Sequence, residues 1–160
     1  MIVLTRISSI NLKNNRMDKL EYIPGDLVKF ATNTYTINNF GENFLQSKIY
    51  ALISTNSTKT AFVEDIDILP IPLTPEILEK NGWKKEVMSR GVSNSHLVYT
   101  KPDIEEYGYF PIYIEKGIGN EFDVYPFTGN HICNQIAYIK YVHQLQHILF
   151  GLGINHEMEV

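Results

Sequence analysis

A chain of 160 residues is the size of one domain and long enough to bury one sizeable core. Its apolar fraction of 44% and charged fraction of 20% are those of ordinary globular proteins, which excludes a compositionally disordered chain. Fourteen basic against eighteen acidic side chains give a formal charge of −4 with no block of Lys and Arg, which argues against nucleic-acid binding, since phosphate recognition needs concentrated positive charge.

The first ten residues begin apolar, but Arg6 and two serines interrupt them too early for a secretory h-region. No apolar run approaches the roughly twenty residues of a membrane span. Residues 1–16 read either as an N-terminal extension, arm or edge strand, or as a stretch upstream of a true start at Met17. From Met17 onward short strands alternate with turn residues, and ten Tyr and eight Phe favour the pleated, half-buried surfaces of sheets. Pro24-Gly25 predicts a turn into a strand Leu27–Phe30, and Ala31–Thr34 a hairpin loop before a strand Tyr35–Asn38. Lys48–Ile53 and Thr60–Val63 follow, separated by the polar run Ser54–Thr58. This half, residues 17–69, is expected to form a small antiparallel sheet or SH3-like barrel.

Residues 70–160 are expected to add an α+β half to the same domain. Prolines hold Leu69 and Ile71 extended. Thr74 then suits an N-cap, Pro75 the first helical position and Glu76 the first turn, with Gly82 as the left-handed stop of a short helix near Pro75–Asn81. Trp83–Met88, Leu97–Thr100, Tyr109–Glu115 and Phe122–Tyr125 read as strands of a second antiparallel unit, and Gln135–Lys140 as a further one. Tyr141, Val142, Leu145, Ile148, Leu149 and Leu152 fall at helical spacing, predicting an amphipathic C-terminal helix over Tyr141–Phe150. Ile154–Val160 is a candidate terminal strand. The predicted class is α+β.

Three segments carry a resemblance: Gly25-Asp26-Leu27-Val28; Pro70-Ile71-Pro72-Leu73-Thr74-Pro75-Glu76-Ile77-Leu78 with Asn81-Gly82-Trp83; and Tyr141-Val142-His143-Gln144-Leu145-Gln146. Together, from Met17 to the end, they resemble a family of small uncharacterised proteins encoded by phages, prophages and mobile elements of gut anaerobes. That family's pattern is a Gly-Asn/Asp-x-Val strand, an internal PIPLTxExLxxxGF motif and a C-terminal YVHxLQNLYFALTG. This chain departs from it with Trp83 for Phe, His147 for Asn, and Phe150-Gly151-Leu152-Gly153 for the final Phe-Ala-Leu-Thr-Gly. The resemblance implies a phage or mobile-element origin and favours Met17 as the start, and it carries no activity.

The chemistry-bearing residues are scattered. His143 and His147, four apart, share one side of a helix as in the HExxH zinc helix, but Gln144 stands where the general base belongs. A structural zinc would need further ligands, for which His156, Glu157 and Cys133 are nearest. Cys133, the only cysteine, excludes an intrachain disulfide, and with His131 two residues before it reads more simply as a small buried hydrophobe than as a nucleophile. Asp65 and Asp67 would share a face of a strand, as cation ligands or as the solvated side of an edge. In Tyr107–Tyr113, Tyr109, Pro111 and Tyr113 would face one way and Phe110, Ile112 and Ile114 the other, so a Tyr face is either a recognition surface or a second buried one.

The expected function is a non-enzymatic accessory or interaction protein, with a protein partner or self-association, residing in the host cytoplasm or on a virion. The alternatives are a minor virion component and a small-ligand binder that sequesters a nucleotide signal. Candidate binding residues are Arg90, Tyr99, Lys101, Tyr109 and Tyr113. No catalytic residue, metal or cofactor is expected, and nucleic acid is the least favoured partner.

Overall fold

The computed structural model describes residues 22–42, 48–90, 94–102, 112–128, 131–132 and 135–160. These residues form two antiparallel sheets and two short helices, an α+β fold. No helix among them is long and apolar enough to cross a membrane.

The first sheet begins with the predicted turn. Asp26 N–H donates to Ile23 O at 3.1 Å across Pro24-Gly25, and Gly25 takes a φ of +98°, the backbone that a type II turn demands of its third residue. The chain then runs through β1 (Leu27–Phe30), β2 (Asn33–Glu42), β3 (Lys48–Ser54), β4 (Thr60–Glu64) and β5 (Ile68–Pro70), in the spatial order β4-β3-β2-β1-β5. The β1–β2 hairpin is tighter than the sequence suggested: Phe30 already pairs with Asn33, so only Ala31 and Thr32 turn, with Ala31 at a φ of +52°. A register shift between Ile37 and Asn39 breaks the β2–β3 ladder, and such irregularities increase local twist. Asp65–Asp67 is a 3-10 turn rather than a strand, so the two carboxylates do not share a pleated face. Val28, Ile37, Tyr50, Leu52, Val63 and Ile68 bury one side of this sheet together with Tyr22.

Helix α1 (Pro75–Lys80) starts as its residues require: Thr74 Oγ1 accepts from Ile77 N at 3.3 Å with Pro75 in the first turn, and Gly82 ends it at a φ of +82°. Trp83 leaves it into the core.

The second sheet comprises β6 (Lys84–Arg90), β7 (Asn94–Thr100), β8 (Ile112–Lys116), β9 (Phe122–Thr128), β10 (His131–Ile132) and β11 (Ala137–Ile139), with the last two both pairing with β9. Its inner face carries Tyr99, Ile112, Ile114, Val124 and Ile139 into the main core, where they meet Leu78 and Trp83.

Helix α2 (Val142–Gly151) closes the fold. Val142, Leu145 and Leu149 join the main core as the apolar spacing predicts, but Leu152 is exposed, while His143, Gln144 and Gln146 are buried. The helix is inserted between the sheets, and its polar side is covered too. Ile154–Val160 forms no strand. It runs against α1, where the side-chain amide of Asn81 donates to Glu159 O at 2.7 Å and accepts from Glu159 N at 2.8 Å, the two bonds that a neighbouring strand would otherwise make.

Candidate functional site

The strongest convergence of polar side chains lies where α2 meets the turn that leads into the first sheet. Asp26 is buried at the start of β1, and His147 Nε2 lies 3.0 and 2.9 Å from its two carboxylate oxygens. Asp26 Oδ2 also accepts from Ile23 N at 2.8 Å, so the carboxylate closes its own turn while holding the helix. One residue earlier on α2, Gln146 accepts from Leu27 N at 3.0 Å and donates to Gly25 O and His156 O, each at 3.2 Å. The backbone on both sides of Asp26 is thus satisfied by one side-chain amide, as buried backbone groups require.

His143 sits one helical turn below His147, with ring centroids 5.8 Å apart. It is buried against the Tyr22 ring at 4.8 Å and stacks on Tyr141 at 5.9 Å. Tyr22 in turn meets Tyr50 edge to face at 5.9 Å. Burial, reinforced by the charges of Asp65 and Asp26, pushes the Tyr50 hydroxyl up to about 12 and raises Tyr22 further still. Both phenols stay protonated at neutral pH. The Tyr22 hydroxyl is buried with no hydrogen-bond partner among the described residues.

Gln144 caps α2: its Oε1 accepts from Lys140 N at 2.7 Å and Tyr141 N at 3.1 Å. The position that breaks the resemblance to a zinc helix is therefore occupied by a residue that starts the helix. Beside it, Leu73 N donates to Lys140 O at 2.8 Å and Val142 N to Ile71 O at 2.9 Å, with Pro72 and Tyr141 forming an isolated bridge. The three segments singled out in the sequence, around Gly25, Pro72 and Tyr141, meet in this one junction.

An imidazole aimed at a carboxylate is also the orienting half of an acid–base pair. Here it spans two elements that are joined by further bonds on either side, an arrangement suited to a latch. No group of three His, Cys, Asp or Glu among the described residues is placed to hold a metal. His156 approaches Gly25, with Nε2 3.7 Å from where a Cβ would stand, and packs on Phe150. Cys133 lies outside the described residues.

A second polar group lies on the face of the second sheet opposite the main core. His96 Nδ1 contacts Glu115 Oε1, Glu115 pairs across the ladder with Asp123, and Gln135 Nε2 donates to Asp123 Oδ1 at 2.8 Å. Partial burial, then the charges of Glu115 and Glu121, raise Asp123 above the usual carboxylate range. An open cleft of about 490 Å³ lies nearby, lined by Glu121, Tyr138, Lys140 and Gln144, with Lys140 paired to Glu121 at 2.8 Å.

The binding residues expected from sequence are dispersed. Tyr99 pairs with Ile114 and Tyr113 with Thr100, the next position along, so the two tyrosines project from opposite faces of one sheet and cannot wall one pocket. Both are buried, Tyr113 stacked on Tyr125 at 4.9 Å. Lys101 Nζ donates to Asn81 O at 3.1 Å. Arg90 ends β6, with its side chain outside the described residues, as is Tyr109. The sequence pairs His147 only with His143, as possible zinc ligands, and does not join it with Asp26 and Gln146, because the partners of these residues lie 119 and 121 residues away. The signal they offered was local: polar residues at 143, 144 and 146 within an apolar helix. Compared with family models, curated proteins and solved structures, the chain finds no match in any of the three.

Proposed function

We propose that this chain is a non-enzymatic interaction protein, an accessory factor of phage or mobile-element origin acting in the host cytoplasm or on a virion, with the first sheet serving as an SH3-like module. The observation that carries the proposal is the outer face of that sheet. Phe62 on β4 is 75% exposed, and Ile53 on β3, its diagonal neighbour in the register, is exposed beside it. An aromatic ring held rigidly in solvent on an ordered strand gains contact area at small entropic cost, which is what binding surfaces use. The polar junction supports the same reading, because its groups are engaged in joining α2 to β1.

The small-ligand alternative draws support from the cleft at Tyr138 and Lys140. It is the weaker reading, because Tyr99 and Tyr113 face opposite ways. The test is a pull-down from lysogenic cells, comparing the wild-type chain with Phe62→Glu and identifying retained proteins and small molecules by mass spectrometry. A protein retained by the wild type and lost with the variant is expected. Retention unaffected by the variant removes this face, and a retained metabolite without protein favours the cleft.

A further inference from the structure

We infer that the cleft lined by Glu121, Tyr138, Lys140 and Gln144 binds a guanine-type heterocycle, a planar ring whose edge sets N–H donors beside a carbonyl oxygen. The inference goes beyond the interaction reading above and is separate from it, because none of these residues belongs to the Phe62 face.

Gln144 carries the inference. It is only 8% exposed, and its Oε1 accepts from both Lys140 N and Tyr141 N. Two backbone donors require an oxygen, so the orientation of the amide is fixed and its nitrogen faces away from them. That Nε2 has no hydrogen-bond partner among the described residues, although the side chain is more than nine-tenths buried and lines the cleft. A buried N–H without an acceptor costs stability, and the cleft is where an acceptor can reach it.

Glu121 fixes what must lie beside that acceptor. Its carboxylate pairs with Lys140 Nζ at 2.8 Å, and a carboxylate has about four lone-pair sites, so it can still accept from a ligand. A free anion would have to displace Glu121 from Lys140. A simple cation finds only N–H groups at Gln144. A ligand that satisfies both residues is neutral at this edge, donating to Glu121 and accepting from Gln144.

Tyr138 supplies the flat wall. It is the middle residue of β11 and is 69% exposed, while its neighbour Ile139 is buried in the main core, so the strand holds the ring out on the opposite face. An exposed ring on an ordered strand is a stacking platform for a planar base. Guanine presents N–H donors to a carboxylate and its carbonyl to an amide N–H, whereas adenine offers one amine and a ring nitrogen. The cleft volume of about 490 Å³ is that of a small-molecule site.

Titration of the isotope-labelled full chain with guanosine monophosphate to about 10 mM should shift the Gln144 side-chain amide resonances to saturation, with a Kd of about 1 mM or below. Adenosine monophosphate should bind about tenfold more weakly, and inorganic phosphate alone should leave those resonances in place. Gln144→Glu keeps an oxygen for the helix cap and replaces the donor with a second oxygen, so it should weaken binding at least about tenfold, with circular dichroism verifying the fold. Tyr138→Ala, at an exposed position, should weaken binding about tenfold, and it decides the matter if Gln144→Glu fails to fold. Resonances that do not move, equal affinity for the two nucleotides, a response to inorganic phosphate alone, or binding indifferent to Tyr138→Ala would overturn the inference. Phe62→Glu should leave nucleotide binding unchanged, so failure here is told apart from failure of the interaction reading.

Discussion

His147 meets both carboxylate oxygens of Asp26 within 3.0 Å, joining residues 121 apart in sequence and tying the C-terminal helix to the first strand. Removing either partner leaves the other inside a largely dry junction. Asp26→Ala is expected to cost about 3 kcal/mol, because it also strands the Ile23 N–H, and His147→Ala about 1–2 kcal/mol. A double-mutant cycle by urea unfolding should give a coupling of about 1 kcal/mol. Additive single effects would show that the two groups are merely neighbours.

Gln146 tests the same junction without charge. Gln146→Leu conserves most of its volume and leaves the Leu27 N–H without its acceptor, at a cost of about 2 kcal/mol. Gln146→Glu keeps that acceptor but sets a carboxylate oxygen against the carbonyls of Gly25 and His156. Its stability, followed by thermal unfolding, should therefore be lowest at neutral pH and recover on acidification as the carboxyl regains a donor. A pH-independent deficit would count against this geometry.

The buried phenols make an alkaline prediction with a definite sign. Tyr50 is raised from 10.0 to about 12 in the fold and Tyr22 is raised in the same direction, so the folded chain holds these protons more tightly than the unfolded one. The resulting stability is complete below pH 10.0 and is lost as pH rises through about 12. Circular dichroism followed alongside tyrosinate absorbance should show unfolding in that window, with Tyr50→Phe moving it upward. Tyrosinate appearing near pH 10 for every phenol while the fold persists would contradict it.

Local geometry was legible wherever a residue constrains its own backbone. Pro24-Gly25 specified its turn, Thr74-Pro75 and Gly82 bracketed α1, and the alternation of Ile112, Tyr113 and Ile114 separated a core face from its opposite. Errors fell where two backbone conformations were open to the same residues. Asp65–Asp67 suits a strand or a turn, and the choice went to the 3-10 turn leading from β4 into β5. Ile154–Val160 has the apolar spacing of a strand, yet its backbone bonds to Asn81 instead of a ladder.

By itself, the amino-acid order determined an α+β chain of short antiparallel strands, a proline-started helix and an amphipathic C-terminal helix, because propensity, capping and periodicity act within a few residues. Gln144 caps its own helix from three and four residues away, whereas tertiary structure alone decided what His143, Gln146 and His147 do. Their positions on α2 look like a polar face, and only the approach of the Gly25–Leu27 backbone and the Asp26 carboxylate, more than a hundred residues distant, turns that face into a buried latch. Contacts between segments so far apart depend on how the sheets pack, and no local pattern encodes that.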